Sequence, residues 1–149
     1  MFNQYAYLDS IKGVAPELEA IHRVSGMRNL EEPLENIRNL KDYMLLVEDD
    51  DDGYFDLDDK NADHGFRTFY VIGRAKLNDS SSRTAVQNQC KLYALKLFKQ
   101  FKADSHNFGD PAYGFDSSRI DYRRIGPLVE NYHGFAFSYV ITNENFNLV

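Results

Sequence analysis

The chain has 149 residues, 43% hydrophobic and 27% charged, with a net charge of −6. That length and balance suit one domain with its own core and exclude collagen, coiled coil and general disorder. No apolar run approaches the roughly 18 residues of a membrane-spanning helix, and a single cysteine, Cys90, excludes an internal disulfide framework or a multi-cysteine zinc site.

The opening Met-Phe-Asn-Gln-Tyr has no basic stretch feeding an apolar one, so a cytoplasmic location is expected. Tyr5, Leu8 and Ile11 recur at helical spacing and predict a helix over 2–12, stopped by Gly13. Residues 14–27 predict a short helical turn after Pro16, then an extended stretch in which Leu18, Ala20, His22 and Val24 alternate. Leu30, Leu34, Ile37 and Leu40 share one helical face. Asn29 and Glu32 resemble a capping box, but starting the helix at Pro33 spares a backbone bond, which predicts a helix over 33–40.

Tyr-Met-Leu-Leu-Val at 43–47 predicts a strand over 42–49, buried on both faces. A partner strand follows over 65–76, rich in Phe, Thr, Tyr, Val and Ile, with Asp49–His64 as the hairpin tip. Residues 78–82 form a loop loaded with capping residues. A long helix over 83–103 then carries Val86, Cys90, Tyr93, Ala94, Leu97 and Phe101 on one stripe. Lys91, Lys96, Lys99 and Lys102 crowd its C-terminal half, which suits the helix dipole. After a loop over 107–114, a strand is expected over 118–125, with a bulge at Arg124 before Gly126-Pro127. The last strand, over 132–142, alternates Phe135, Phe137, Tyr139 and Ile141 with Ala136, Ser138, Val140 and Thr142. These elements predict one α+β domain: a helical N-terminal region, 1–40, and a hairpin–helix–hairpin core, 41–149. The sheet should be mainly antiparallel, two hairpins with helices packed on one face.

The chain has little that resembles a catalytic constellation. Cys90 sits on the apolar stripe and reads as a small core hydrophobe, since a reactive thiolate needs an electropositive, open site. There is no Gly-x-Ser-x-Gly elbow and no glycine-rich phosphate loop. His22, His64, His106 and His133 are scattered, and none pairs with another at the spacing that holds a transition metal. No catalytic residue, cofactor or small-molecule substrate is expected. A small metal-binding protein or enzyme ranks third among the function classes.

The charge is concentrated. Residues 48–63 hold nine acidic side chains against Lys60 alone, a net −8, so the remainder of the chain carries +2. Phosphate binding needs a basic face, so sequence-specific nucleic-acid recognition is not expected. Arg119 and Arg123 share a strand face with Asp121 and read as a solvated face or as partners of acids. Within the acidic run, Glu48, Asp50, Asp52 and Asp59 fall at calcium-loop positions around Gly53. Position 1 is Glu, the last position is Asp, and the flanks are strands, so Asp49, Asp50, Asp51, Asp52, Asp56, Asp58 and Asp59 read first as a solvated tip. On the long helix, Leu92 and Leu95 project away from the core stripe among lysines, and Phe98 flanks the stripe. These three are the candidate contacts for a partner or for intramolecular cover, with Phe108, Tyr113, Phe115 and Phe146 as aromatic reinforcements.

One resemblance covers residues 40–149. The hairpin leaves through Leu45-Leu-Val-Glu-Asp-Asp-Asp-Asp and returns through Phe69-Tyr-Val-Ile-Gly. One long helix follows, then a closing strand, Tyr132-His-Gly-Phe-Ala-Phe-Ser-Tyr-Val-Ile-Thr-Asn. This order resembles small Bacteroides-type phage and prophage proteins of tail completion or head–tail joining. The resemblance implies a non-enzymatic subunit of a ring at the end of a tail tube, with itself and other virion proteins as partners. A negative lumen lined by the acidic tip would keep passing DNA from sticking. The alternative is an acidic interaction module or DNA-mimic inhibitor.

Overall fold

The computed structural model describes residues 2–25, 34–35, 37–49, 52–58 and 61–143. Helix α1 (Gln4–Ile11) is capped by Asn3, whose side chain accepts from the Ala6 amide at 3.0 Å. A single 3-10 turn over 12–14 ends it beside Gly13. Strands β1 (Ala20–Val24), β2 (Tyr43–Glu48), β3 (Asp52–Asp56) and β4 (Ala62–Arg74) precede helix α2 (Ser80–Asp104). Strands β5 (Asp121–Ile125) and β6 (Tyr132–Asn143) complete a six-stranded sheet. The order is β1-β2-β4-β6-β5, with β3 also paired to β4. Every pairing is antiparallel except β1 with β2. The α+β class and the mainly antiparallel sheet therefore match the expectation.

Four departures have physical reasons. The N-terminal region is not only helical: β1 joins β2 in parallel, with Ile21 opposite Leu45 and Val24 opposite Glu48. The alternation of Ala20, His22 and Val24 was a true strand signal, and the long return over 25–42 gives the length that a parallel crossover needs. Second, the expected helix over 33–40 is helical at 34–35 but not at 37–40; Pro33, Asn29 and Glu32 lie outside the described residues. Leu34, Ile37 and Leu40 nevertheless all pack on the sheet. Third, β5 carries no bulge: its register runs unbroken from Asp121 opposite Ser138 to Ile125 opposite Gly134. The chain turns one residue later, at Gly126, whose φ of 109° is open to glycine at little cost. Fourth, α2 begins at Ser80 because Asp79 accepts from the Ser82 amide at 3.0 Å and caps it.

Both helices cover one face of the sheet. Tyr7, Leu8 and Ile11 of α1 meet Val86, Cys90, Leu97 and Phe101 of α2 over Leu45, Val47, Phe69, Val71, Phe137 and Tyr139. Tyr7 lies edge-on to Phe101 at 4.7 Å between ring centres, a favoured aromatic geometry. The opposite face buries Met44, Leu46, Tyr70, Ile72 and Tyr132 beneath Leu34, Ile37, Leu40, Leu128 and Val129. Interior strand β2 is thus buried on both faces, as its unbroken apolar run predicts.

Candidate functional site

The acidic segment is not a simple hairpin tip. Val47 faces Phe69 and Asp52 faces Phe66, so the ladder on this side of β4 is interrupted at Arg67 and Thr68, between β2 and β3. Beyond this break, β3 and the first half of β4 form an arm. Gly53 sits opposite Gly65, and a Cβ there would run into the carbonyl oxygen of His64. Tyr54 stacks on His64 at 4.6 Å and leans on Phe66 at 5.9 Å. All of β3 is exposed, and Tyr54, Phe55, Leu57 and Phe66 stand out as large apolar side chains in solvent. Asp52, Asp56 and Asp58 are exposed along the same arm and Asp49 is exposed at the end of β2, while Asp50, Asp51 and Asp59 lie outside the described residues. The aromatic surface was missed because the turn signals of Asp and Gly around Tyr54-Phe55 mask a strand. Its signal was Phe66 and Tyr54 at matching alternation on facing strands.

The described residues do not assemble the calcium-loop set. Glu48 is buried and its carboxylate accepts from the Tyr70 hydroxyl at 2.6 Å, whereas Asp52 is exposed beyond the break. Asp50 and Asp59 lie outside the described residues. Among the described residues no three His, Cys, Asp or Glu side chains converge as a metal site.

A second surface is built by α2 and β5. Leu92 and Leu95 are each 51% exposed. Phe98 is not part of this surface: it is 5% exposed and packs against Phe69, Phe101, Phe115, Phe137 and Tyr139. The reason is that α2 lies in a trough between the sheet and the 112–115 turn, so its buried arc is wider than one stripe. Phe115 is buried with it, while Phe108 and Tyr113 are exposed and lie edge-on at 5.3 Å; Phe146 lies outside the described residues. Lys91 holds its ammonium 4.3 Å from the centre of the Tyr122 ring and 4.8 Å from that of Phe135, a cation–π contact that joins α2 to β5. Tyr122, Arg123 and Arg124 are exposed, and Arg119 pairs with Asp121 at 3.0 Å.

A cavity of about 310 Å³ opens where α2 begins, lined by Lys76, Asp79, Ser80, Arg83, Asn131 and His133 among others. His133 is buried, and its Nε2 lies 3.1 Å from the Asn131 side-chain oxygen. Burial first, then the nearby Arg83 and Arg124 charges, push its pKa down, so it stays neutral at pH 7. Cys90 is fully buried, its thiol 3.9 Å from the His133 carbonyl, and burial pushes its pKa up to about 12. A thiol held protonated in a core is not a nucleophile, which fits its place on the stripe.

Among the described residues no helix is long and apolar enough to cross a membrane. The sequence matches no protein-family model and no curated protein.

Proposed function

We propose that the chain is a structural subunit that assembles with copies of itself into a ring. The phage and prophage tail-completion and head–tail joining proteins that the sequence resembles set the pattern. The observation that carries this reading is the pair of half-exposed leucines, Leu92 and Leu95, among lysines on the outer face of α2. Single apolar residues on a surface are ordinary, but this pair adjoins the Tyr122 ring of β5 through Lys91. Burying two leucines yields roughly 3–6 kcal/mol at about 1.5–3 each, while association costs an estimated 4–15 kcal/mol. The leucines therefore need aromatic partners across the interface. In this reading the subunit is made in the cytoplasm, has no catalytic role, and joins a virion or tail-like particle.

Light scattering on the purified chain at high micromolar concentration tests it. A discrete oligomer that Leu92→Asp/Leu95→Asp dissolves, with the circular dichroism spectrum unchanged, supports the reading. A wild-type monomer overturns it.

A further inference from the structure

The cavity at the start of α2 plays no part in the proposed self-assembly, and its walls are tied together. Asn131 donates from its side-chain amide to the Ala75 carbonyl at 2.9 Å, and its backbone carbonyl accepts from the Ala75 amide at 3.1 Å. The Lys76 amide donates to the Ser82 hydroxyl at 3.0 Å. The enclosed volume of about 310 Å³ is at the low end for small-molecule sites and exceeds what a bare tetrahedral anion fills. Lys76 and Arg83 line it, and both are exposed. Among the described residues neither forms an ion pair. The one carboxylate among the lining residues, Asp79, is engaged in the helix cap, where it accepts from the Ser82 amide. The Arg83 amide donates to the Asp79 carbonyl at 3.1 Å. Of the four amides that open the helix, those of Ser80 and Ser81 are left without an acceptor among the described residues.

His133 points to a ligand independently of the helix end. It belongs to β6, lines the same cavity and is only 4% exposed. Because the Asn131 side-chain amide donates to Ala75, its oxygen faces His133 and accepts the Nε2 proton. Nδ1 is then an acceptor with no hydrogen-bond partner among the described residues. A Cβ at Gly126 would stand 3.0 Å from this nitrogen, so the glycine keeps it clear, and the next residue, Pro127, lines the cavity. Burial, with the Arg83 and Arg124 charges nearby, opposes a proton on the ring. A buried acceptor without a donor is rare and costly, and a ligand hydroxyl supplies the donor.

We propose that this cavity binds a phosphate monoester of a small hydroxylated molecule. The Lys76 and Arg83 side chains and the Ser80 and Ser81 amides take the phosphate, and His133 Nδ1 accepts from a hydroxyl of the group that carries it. A phosphate dianion matches two cations and two amides, whereas a carboxylate brings half the charge and only two oxygens. The volume left beyond the anion holds the carrier. Binding goes beyond self-assembly and does not depend on it.

Isothermal titration calorimetry at low salt, with ribose 5-phosphate, inorganic phosphate and ribose as probes, tests the site. Ribose 5-phosphate should bind once per chain and about tenfold more tightly than inorganic phosphate, and ribose should not bind. Arg83→Gln should weaken ribose 5-phosphate about tenfold. Ser80→Pro removes one amide at the first helical position, which proline suits, and should weaken it by a similar factor. Lys99→Gln, about 24 Å further along α2 at about 1.5 Å per residue, should bind as the wild type does. Lys99 and Arg83 are both exposed, and circular dichroism confirms that each variant folds. A wild type that binds neither phosphate saturably overturns the proposal, and so does equal weakening by Arg83→Gln and Lys99→Gln, the mark of diffuse charge. Full affinity in Ser80→Pro overturns the seat at the start of α2. Inorganic phosphate held as tightly as ribose 5-phosphate overturns the ester and identifies a free-anion site.

Discussion

Gln4 and Tyr139, 135 residues apart, meet in the core: the Tyr139 hydroxyl donates to the Gln4 side-chain oxygen at 2.7 Å. The amide of Gln4 donates in turn to the carbonyls of Thr68 at 3.0 Å and Glu48 at 3.3 Å. Thr68 pairs with Ser138 of β6 on one side, and lies where the break between β2 and β3 leaves the other side of β4 without a strand partner. The side chain of Gln4 therefore supplies the donor that the missing ladder would have given. Asn3 makes this possible, since its cap sets Gln4 at the first turn of α1, facing the sheet.

Replacing Gln4 by Leu keeps the volume and removes both bonding functions. A buried polar group left unpaired costs about 1–3 kcal/mol, and here the Tyr139 hydroxyl and the carbonyls of Thr68 and Glu48 lose their partner together. Gln4→Leu should lower stability by at least about 2 kcal/mol in urea unfolding, and Tyr139→Phe by about 1–3. The double variant should cost less than the sum, since the two residues share one bond. Additive losses would mean that the pair is not coupled.

Phe98 and Leu95 are three residues apart on α2 and should behave oppositely. Phe98→Ala removes a ring from the aromatic core and should cost about 3–5 kcal/mol, and Leu97→Ala about 2–5. Leu95→Ala should change the unfolding free energy of the monomer by no more than about 0.5 kcal/mol. A large loss at Leu95 in chemical denaturation of a monomeric sample would place that side chain under cover.

His22 offers a gain. Its Nε2 is buried with no hydrogen-bond partner among the described residues, and burial pushes its pKa down. His22→Leu on this face of β1, beside Leu46, should leave stability equal or raise it by about 1 kcal/mol. A loss above that size would show that the imidazole is satisfied by a group outside the described residues.

The parts of the fold that could be read from the sequence are those where one periodicity dominates. The α2 stripe from Val86 to Phe101 and the alternation from Phe135 to Ile141 each meet one flat partner, so pattern and burial agree. Strand β3 escaped because Asp52 and Asp56 bracket only three residues, and its pairing depends on the close approach of Gly53 to Gly65 rather than on side chains. Phe98 was misplaced because helical spacing reports an angle, not how many neighbours surround the helix. The acidity of the arm was visible as composition, but only the strand pairing sets it on the side of β4 away from β6 and β5.

Stability should peak between neutral pH and about pH 9 and fall on both sides. On the alkaline side, burial raises the Cys90 thiol from 9.0 to about 12 and the Tyr43 hydroxyl from 10.0 to about 12. Tyr7 and Tyr139 are also pushed up, Tyr7 by burial and then by its bond to Asp104. Each of these groups stays protonated in the fold while the unfolded chain ionises. Their stabilisation is complete below the unfolded values and is lost as pH rises through the folded ones. On the acid side, His22 and His133 are lowered by burial, so the fold holds them neutral. That contribution is present above the ordinary histidine value of 6.5 and is lost as pH falls through the lowered ones. Calorimetric Tm across pH should therefore form a plateau with an alkaline limb that Cys90→Ala makes shallower. In the same range, an aromatic disulfide reagent at pH 8 should label Cys90 only after denaturant is added. Rapid stoichiometric labelling of the native protein would show that the thiol is neither buried nor held protonated, and the alkaline limb would then lose its cysteine contribution.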